Sequence, residues 1–306
     1  MSERVSIMDL GTNTFHLLVS EGSQVVYEER RAVRIGKGGI NRNMITEEGI
    51  SRAIACLKDY KLKSDLFRSA GIYAIGTSAF RSAVNAAAVI EAIRSETGIE
   101  VRIISGELEA ELIYDGIRSG LGSLQEVSMM VDIGGGSVEF IIADKSGIIR
   151  RISLETGGQR LMELFQKNDP ILSEEIIAVE NHLENNLTEV LKAIDLYRPE
   201  ILIGSSGSFD TLSEIWCRKN KIIYEPGPET PLTVEGFYEI AGELLSLNRA
   251  GRMAIPGMIE LRVDMIVVGC ILIRFLLQKT NIKRLRVSGY SLKEGVSWRV
   301  MSGIPL

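Results

Sequence analysis

The chain has 306 residues, of which 45% are hydrophobic and 25% are charged, and its formal net charge at pH 7 is −5. This length favours two domains over one, and the composition is typical of a folded globular protein. The negative net charge argues against a surface that binds a polyanion throughout, so we expect no nucleic-acid partner, although it says little about a local cleft.

The three cysteines, Cys56, Cys217 and Cys270, show no CxxC spacing, so neither a disulfide framework nor a zinc site is indicated. Residues 1–20 lack a signal-peptide pattern, and the apolar stretch 265–277 is too short to span a bilayer. We therefore expect a cytoplasmic protein without a membrane partner. The apolar second half is compatible with a homodimer but does not establish one.

The first third of the chain alternates strand-like and helix-like segments. Three short runs predict a strand meander, and the segments that follow complete an α/β unit. The predicted strands are 5–9, 15–20, 24–29, 71–76 and 101–104, and the predicted helices are 46–60, 86–95 and a third from about residue 107. The stretch "SGLGS", Ser119 to Ser123, then predicts a linker.

After this stretch the pattern of the first half begins again, with three more predicted strands. The predicted strands of the second half are 128–133, 138–143, 148–154, 201–203 and 284–288, and its predicted helices are 173–196, 234–247 and 265–277. Because both halves begin with a strand, an Asp-x-Gly bend and a strand, the sequence predicts an internal duplication. We expect two related domains across a cleft, at residues 1–121 and 122–306, with the last helix packing back on the first.

The bend in "VDIGGGSVEF", residues 131–140, can hold an anion. Three residues without side chains, Gly134, Gly135 and Gly136, let backbone N–H groups converge on one point, and Ser137 adds a hydroxyl. A lone bend of this kind is more often a simple hairpin. The same layout in "IMDLGTNTFHLLVS", residues 7–20, favours a binding site.

An aspartate stands at the base of each bend, Asp9 in the first and Asp132 in the second. These carboxylates would repel a phosphate, so we expect a divalent cation between them and the anion, most simply Mg²⁺. Glu139 returns to the same face as Ser137, two residues along a strand, and would join this metal site.

Two further loops end strands and carry polar residues. In "IGSSGSFDTL" the loop opens a helix, so free N–H groups at Gly207 and Ser208 predict an anion site, with a routine strand-to-helix turn as the alternative. In "GTSAFRSA" the loop offers Thr77, Ser78 and Arg81; arginine binds phosphate well, although one at a helix start is usually a surface residue.

The helix in "ISGELEAELIYDGI" brings three glutamates close together, Glu107, Glu109 and Glu111. Most such acids only solvate a helix, but one facing the cleft could orient a water molecule for attack.

A basic segment lies earlier in the chain. Its residues are Arg30, Arg31, Arg34, Lys37 and Arg42. Solvated surface charge explains this segment about equally well; if it lined a channel, it would favour a long polymeric substrate.

Six motifs appear in one order: "DLGTNTFHLLV", "GTSAFRSA", "ISGELEAELIY", "VDIGGGSVEF", "GSSGSFDTL" and "VSGYSLKEGV". This combination resembles the exopolyphosphatase and guanosine pentaphosphate phosphatase family, Ppx/GppA. The resemblance implies an α/β fold with two ribonuclease H-like domains, as in actin-like ATPases, facing a central cleft. It also implies the short form, without the helical domain that longer relatives append.

The resemblance assigns the family's catalytic glutamate to Glu109 and assigns the metal and its water to Asp132 and Glu139. It implies that the phosphates lie among Thr12, Asn13, Thr14, Arg81, Gly134 to Ser137, Gly207 and Ser208. The chain departs from the family at Leu108 and Glu111, where many relatives carry an acid and a base. This departure affects expectations of substrate affinity but leaves Glu109 in place.

We therefore expect an Mg²⁺-dependent exopolyphosphatase that releases orthophosphate from the end of inorganic polyphosphate. The nearest alternative keeps the chemistry and takes guanosine pentaphosphate as its substrate. A kinase shares the superfamily fold, and a sensor that binds polyphosphate or an alarmone without catalysis is a further alternative. Retention of Glu109 speaks against the sensor, because a binding protein needs no catalyst.

Overall fold

The computed structural model describes residues 3–22 and 24–306, which form two β-sheets with helices between and around them. The strands are β1 Arg4–Leu10, β2 Thr14–Glu21, β3 Gln24–Ala32, β4 Gly71–Gly76, β5 Val101–Ile103, β6 Ser128–Ile133, β7 Val138–Asp144, β8 Gly147–Leu154, β9 Ile201–Ser205, β10 Glu229–Thr230 and β11 Arg284–Ser288. The helices are α1 Glu47–Leu66, α2 Ser78–Ser82, α3 Ala86–Thr97, α4 Gly106–Leu121, α5 Gly158–Phe165, α6 Ser173–Asn186, α7 Thr188–Tyr197, α8 Gly207–Lys219, α9 Val234–Ser246, α10 Arg249–Met253, α11 Ile266–Gln278 and α12 Leu292–Met301. A short 3-10 helix covers Ile40–Arg42.

The strand order confirms the predicted duplication. The first sheet has the order β3-β2-β1-β4-β5, and the second has the order β8-β7-β6-β9-β11-β10. In each sheet the first three strands are antiparallel neighbours, and the central strand then pairs in parallel with a later strand. The second sheet therefore repeats the plan of the first and adds β10 at its edge.

The two sheets share a central hydrophobic core. Successive side chains of a strand point to opposite faces of its sheet. On β1, Ile7 packs into the central core while Met8 packs into the outer core of the first sheet. On β6, Met130 packs into the same central core while Val131 packs into the outer core of the second sheet. Helices α4 and α12 fill the layer between the sheets, which explains why both faces of these strands are apolar.

Helices α4 and α12 touch backbone to backbone. A Cβ atom on Gly116 of α4 would overlap the carbonyl oxygen of Ser291, and one on Gly295 of α12 would overlap that of Leu112. Glycine is required at both positions because only its missing side chain allows the helices to approach this closely.

The division into domains at residues 1–121 and 122–306 stays a prediction. The two sheets lie on either side of residue 121, while α12 packs against α4, β1 and β2.

Two predicted boundaries were wrong. The single helix predicted over 173–196 is interrupted at Leu187, where the Asn186 side chain donates to the carbonyl of His182 and competes with helix formation. The predicted linker at Ser119 to Ser123 continues α4 as far as Leu121, and the chain turns at Gly122, with φ of 75°. Gly120 serves close packing, since a Cβ there would lie 2.8 Å from the Tyr290 ring.

None of the helices within residues 3–22 and 24–306 combines the length and the hydrophobicity that a membrane crossing requires.

Candidate active site

The two Asp-x-Gly bends have the same geometry. In the first, the Gly11 amide donates to the Thr14 carbonyl at 3.1 Å, and in the second the Gly134 amide donates to the Ser137 carbonyl at 3.1 Å. In each hairpin the aspartate lies opposite a titratable side chain on the next strand. The pairs are Asp9 with His16 and Asp132 with Glu139. The duplication therefore reaches down to individual residues, and His16 occupies the position that corresponds to Glu139.

The bends face each other across a cavity of about 110 Å³ between the two sheets. Predicted site residues that line it are Asp9, Thr12, Asn13, Thr14, Thr77, Glu109, Asp132, Gly134, Gly135, Gly136, Ser137 and Gly207. A Cβ atom on Gly136 would lie 2.5 Å from the Thr12 hydroxyl oxygen and would also overlap the Ser78 hydroxyl. The second bend can approach the first this closely because residue 136 has no side chain.

The Asp132 carboxylate is held by serine hydroxyls. It accepts hydrogen bonds at 2.7 Å from Ser205, the last residue of β9, and from Ser206, which follows it, and another from Ser291, which precedes α12. Three serines from two separate parts of the second half therefore fix the orientation of this buried side chain. Hydrogen bonds to an ionised carboxylate are stronger than those between neutral groups.

The equivalent carboxylate of the first bend has a different environment. Burial and, after it, the neighbouring carboxylates Glu109 and Asp132 raise the pKa of Asp9 to about 8, while the Lys293 ammonium opposes them. Within the described residues no side-chain hydrogen bond reaches the Asp9 carboxylate in the way that the serines reach Asp132. The protein alone therefore does little to stabilise the ionised form of the Asp9 carboxylate.

Glu109 enters the cavity from the start of α4. The Ser105 hydroxyl caps this helix by accepting from the Leu108 amide, so Glu109 falls in its first turn and is only 6% exposed. The Arg81 guanidinium donates to Glu109 at 2.7 Å and to Glu155 at 2.9 Å. Burial raises the pKa of Glu109 to about 7, although Arg81 lowers it. A carboxylate with such a pKa can accept a proton near neutral pH.

Glu139 lies behind the cavity rather than on its wall. Its carboxylate accepts a hydrogen bond of 2.8 Å from Ser153 on the neighbouring strand. Burial, followed by the charges of Glu109 and Asp132, raises its pKa well above the ordinary value. Four acidic side chains therefore crowd together around the two bends.

Contacts of α5 reach both the second bend and the first half of the chain. The Arg160 guanidinium donates to the carbonyls of Gly136 at 2.9 Å and Ile40 at 2.8 Å and to the Ser82 hydroxyl at 3.1 Å. It also donates to Glu155 at 2.9 Å, and Glu155 in turn accepts from Ser78 and Arg81. These contacts join the second half to the first beside the cavity.

Basic side chains lie at the end of the cavity away from Glu109. Arg262 is buried, and a Cβ on Gly207 would overlap its guanidinium. Burial lowers the pKa of Arg262 to about 10, and the Asp210 carboxylate opposes this effect. Burial raises the pKa of Asp210 to about 6, against the pull of Arg262 and Lys293. His16 lines the same end, where burial and then the charge of Lys293 lower its pKa well below the ordinary value.

Some predicted residues lie elsewhere. The Ser208 hydroxyl packs beside Gly269 of α11, and a Cβ on that glycine would lie 3.1 Å from it. Of the three glutamates on α4, Glu107 and Glu111 pair with Arg151 at 3.4 and 3.0 Å, so Glu109 alone faces the cavity. The Glu111 departure from the family pattern therefore lies away from the cavity wall.

Several residues of the site were not predicted from the sequence. They are Glu155, Arg160, Asp210, Arg262, Ser205, Ser206, Ser291 and Lys293. The serines could have been found, since they stand in the quoted motifs "GSSGSFDTL" and "VSGYSLKEGV". Arg262 carries no such signal, because it is a single arginine in a half-apolar stretch.

A sequence model of the Ppx/GppA phosphatase family matches residues 18–302. The chain belongs to the Ppx/GppA family. It is 26% identical over 306 residues to a guanosine-5'-triphosphate,3'-diphosphate pyrophosphatase of Photobacterium profundum, and 25% identical over 300 residues to one of Pseudoalteromonas translucida. These alignments cover 99% and 97% of this chain. The chain spans about 60% of the length of these curated Ppx/GppA relatives.

Solved structures of the family superpose along the whole chain. The structure of an exopolyphosphatase from Cytophaga hutchinsonii is 39% identical, with a TM-score of 0.95 and 99% of both chains covered. A Ppx/GppA family member from Aquifex aeolicus is 26% identical, with a TM-score of 0.79, and the match covers 98% of this chain and 97% of that one. The predicted α/β fold with two related sheets is therefore confirmed.

Proposed function

We propose that the protein is an exopolyphosphatase, which hydrolyses the terminal phosphoanhydride bond of inorganic polyphosphate and releases orthophosphate. One observation supports the proposal more strongly than the others. Glu109 is a buried carboxylate with a pKa of about 7, directed into a cavity between two Gly-rich bends and fixed there by Arg81. Likeness to the exopolyphosphatase of Cytophaga hutchinsonii over nearly the whole of both chains supports this substrate.

In this proposal Glu109 accepts the proton of the water that attacks the terminal phosphorus. The new P–O bond forms as the bond to the bridging oxygen breaks, and the shortened chain leaves with the bridging oxygen's electron pair. Arg81 holds the Glu109 carboxylate in position through its 2.7 Å hydrogen bond and is itself fixed by Glu155. Since burial excludes bulk water, the proton transfer is confined to the water that Glu109 contacts.

The two bends would hold the phosphate oxygens. Both bends close with the same amide-to-carbonyl hydrogen bond, which leaves the amides of their middle residues free to point at an anion. Thr12, Thr14 and Ser137 would add hydroxyl donors, and Arg262 would add positive charge at the far end. Such donors stabilise the negative charge that spreads over the transferred group.

The acidic residues fit a divalent cation. Among residues 3–22 and 24–306, no three His, Cys, Asp or Glu side chains form a metal site by themselves. Mg²⁺ needs no such cluster, because it binds through one or two carboxylates and completes its shell with phosphates and water. Asp9 and Glu139 are carboxylates whose pKa values burial and neighbouring negative charge raise, and Asp132 is one of the charges that act on both. When bound there, Mg²⁺ would neutralise phosphate charge.

A second candidate, guanosine pentaphosphate, rests on the curated relatives. Both are named as guanosine-5'-triphosphate,3'-diphosphate pyrophosphatases, and they match nearly all of this chain at 25–26% identity. The same Glu109 chemistry would apply to the terminal phosphate of that nucleotide.

The test is phosphate release in the presence of Mg²⁺, with long-chain polyphosphate and guanosine pentaphosphate at equal concentrations of terminal phosphate. We expect faster release from polyphosphate and a loss of about 10³-fold in kcat for Glu109→Gln with substrate binding retained. Glu107→Gln is the matched control, because it removes the same charge from the same helix outside the cavity.

Preference for the nucleotide would replace the first proposal with the second. Unchanged turnover in Glu109→Gln would exclude the catalytic role of this residue. Release from neither substrate, together with binding of one of them, would favour the non-catalytic sensor.

A further inference from the structure

The start of α5 bonds the carbonyl oxygens of the second Gly-rich bend. Each hydrogen bond joins one amide to one carbonyl: Gly158 to Gly134 at 2.9 Å, Gln159 to Gly135 at 2.8 Å and Gly157 to Gly136 at 3.1 Å. The first amides of a helix have no acceptor within the helix, so the bend satisfies them. A Cβ atom on Gly157 would lie 2.5 Å from the carbonyl carbon of Gly136, which explains why glycine stands where α5 meets the bend.

These hydrogen bonds also set the direction of the amides of the bend. The peptide bonds of the bend are trans, and in a trans peptide the C=O of one residue and the N–H of the next point in opposite directions. The amides of Gly135, Gly136 and Ser137 therefore point away from the start of α5. Within residues 3–22 and 24–306 they donate to no protein acceptor, and all three residues line the main cavity. The amides thus stay free for an anion while the carbonyls are held.

The first bend is held in the same way by the segment that follows β3. The Gly36 amide donates to the Thr12 carbonyl at 3.1 Å, and the Arg34 amide donates to the Asn13 carbonyl at 2.8 Å. These carbonyls belong to the two middle residues of the bend, and the two donors are two residues apart, as Gly157 and Gln159 are in the second half. The duplication therefore includes the backbone support of each bend.

The second bend has an additional support, which is a side chain. Arg160 is 7% exposed, and its Nε donates to the Gly136 carbonyl at 2.9 Å, beside the Gly157 amide. Its other nitrogens donate to the Ile40 carbonyl at 2.8 Å and to Glu155 at 2.9 Å. Because the guanidinium is planar and its N–H groups have a fixed geometry, these outer partners determine where Nε lies.

The hydrogen bond from Arg160 opposes one particular rearrangement of the bend. Glycine adopts positive and negative φ about equally readily, so a bend of three glycines can turn a peptide unit over. If the unit between Gly136 and Ser137 turned over, the Gly136 carbonyl oxygen would replace the Ser137 amide at the cavity, and its partial negative charge would repel a phosphate. The Arg160 Nε would then lose its acceptor, which makes this change unfavourable.

We propose that Arg160 is a positioning residue, which keeps the Ser137 amide directed at the bound phosphate without touching the substrate itself. Among the described residues that line the main cavity, Ser137 is one and Arg160 is not. Arg160 therefore acts through the bend. This inference rests on the proposed function and adds to it a residue that controls how the second bend holds phosphate.

The test compares Arg160→Lys with the same substitution at an arginine in similar surroundings. Arg252 is 1% exposed and also donates to two carbonyls and one carboxylate, which belong to Val263, Leu247 and Asp169. Lysine keeps the charge and loses the planar set of donors, so both substitutions should lower the melting temperature. With saturating polyphosphate and Mg²⁺, Arg160→Lys should also lower kcat about 30-fold, and Arg252→Lys should lower it less than about threefold.

A milder variant covers the case in which Arg160→Lys fails to fold. The Ser82 hydroxyl accepts from Arg160 at 3.1 Å, so Ser82→Ala loosens the guanidinium and should lower kcat about threefold. Ser51→Ala is its control, because both hydroxyls donate to the carbonyl four residues earlier in a helix and Ser51 lies on α1, away from the bend. Equal kcat values for these two serine variants would overturn the inference.

An unchanged kcat in Arg160→Lys would also overturn it, and so would an equal loss in Arg252→Lys, which would indicate a structural role only. Failure of the proposed function would appear separately, as absent phosphate release by the unmodified enzyme. Equilibrium dialysis with tripolyphosphate and Mg²⁺ then decides the inference without turnover. Arg160→Lys should weaken this binding about tenfold and Arg252→Lys less than about twofold, and equal binding to the two variants would contradict the proposal.

Discussion

The two Asp-x-Gly bends share one backbone and differ in what surrounds their carboxylates. Asp132 is fixed by three serine hydroxyls, whereas burial and neighbouring negative charge raise the pKa of Asp9 to about 8. Opposite them on the next strand stand Glu139 and His16. The duplicated fold thus provides two bends with the same backbone, and the side chains around them give the two aspartates different environments.

Among variants of the two bends and their aspartates, the largest effect is expected where the bends touch. In Gly136→Ala the new methyl group would collide with Thr12 and Ser78 of the other half and hold the bends apart. We expect kcat/KM for phosphate release to fall about 100-fold, because the positioning of the reacting groups is lost. Gly242→Ala is the control, since nothing lies within 4 Å of its Cβ position. Equal rates for the two variants would contradict this packing.

Replacing each aspartate by asparagine should change the free energy of unfolding in opposite directions. For an acid whose pKa is raised in the folded state, stability is present below the unfolded pKa of about 4 and is lost as pH rises through about 8. Without metal at pH 8, Asp9→Asn should therefore raise the free energy of unfolding by about 2 kcal/mol, a gain that disappears near pH 4. Asp132→Asn should lower it by about 1–3 kcal/mol, because three hydroxyl donors lose one of their carboxylate oxygen acceptors.

Urea denaturation of both variants at pH 4 and pH 8 measures these differences. Changes of the same sign at pH 8 would show that the two carboxylates have equivalent environments and would remove the contrast drawn between them.

The two bends should lose the same stability when the glycine after each Asp-x pair is replaced by alanine. A Cβ atom on Gly11 would lie 2.9 Å from the Thr14 carbonyl oxygen, and one on Gly134 would lie 3.0 Å from that of Ser137. Alanine at either position should cost about 1–2 kcal/mol of stability through the same strain. Thermal unfolding of the two variants would give matching shifts, and a large difference between them would disprove the structural equivalence of the loops.

The smallest effect is expected at the serines around Asp132. Ser291→Ala removes one of three hydrogen bonds to a charged acceptor and should cost about 1 kcal/mol. Ser205→Ala removes another bond to the same carboxylate and should match it in chemical denaturation. If Ser291→Ala left the stability unchanged, the hydroxyls of Ser205 and Ser206 would be sufficient to hydrogen-bond the Asp132 carboxylate.

Sequence patterns predicted the parts of the molecule that depend on local chemistry. The strands and bends around Asp9 and Asp132 were predictable because the Gly-rich turn, the buried strand and its repeat are all short-range features. Glu109 was one of three similar glutamates on a helix, and the residue pattern alone left their roles open. Its assignment came from the family resemblance, and the structure shows that it is the one facing the cavity.

The missed residues depend on long-range packing. Glu155 and Arg160 follow β8 in a segment without a recognisable motif, and they reach the site only because α5 docks on the first half. Arg262 belongs to the site because the fold brings it against Gly207, more than fifty residues earlier in the chain. The break at Leu187 was also hidden, because it depends on a side-chain hydrogen bond from Asn186 that competes with helix formation.

The contact between Gly116 and helix α12 bears on how the protein is made. A ribosome delivers the first half early, and domains of a nascent chain generally fold in the order of synthesis. Here the layer between the sheets needs residues 292–301, and Ser291 must arrive before the Asp132 carboxylate has all three of its donors. Early folding of the first half would therefore leave its inner face uncovered during translation, and chaperones that bind apolar surface would find it there.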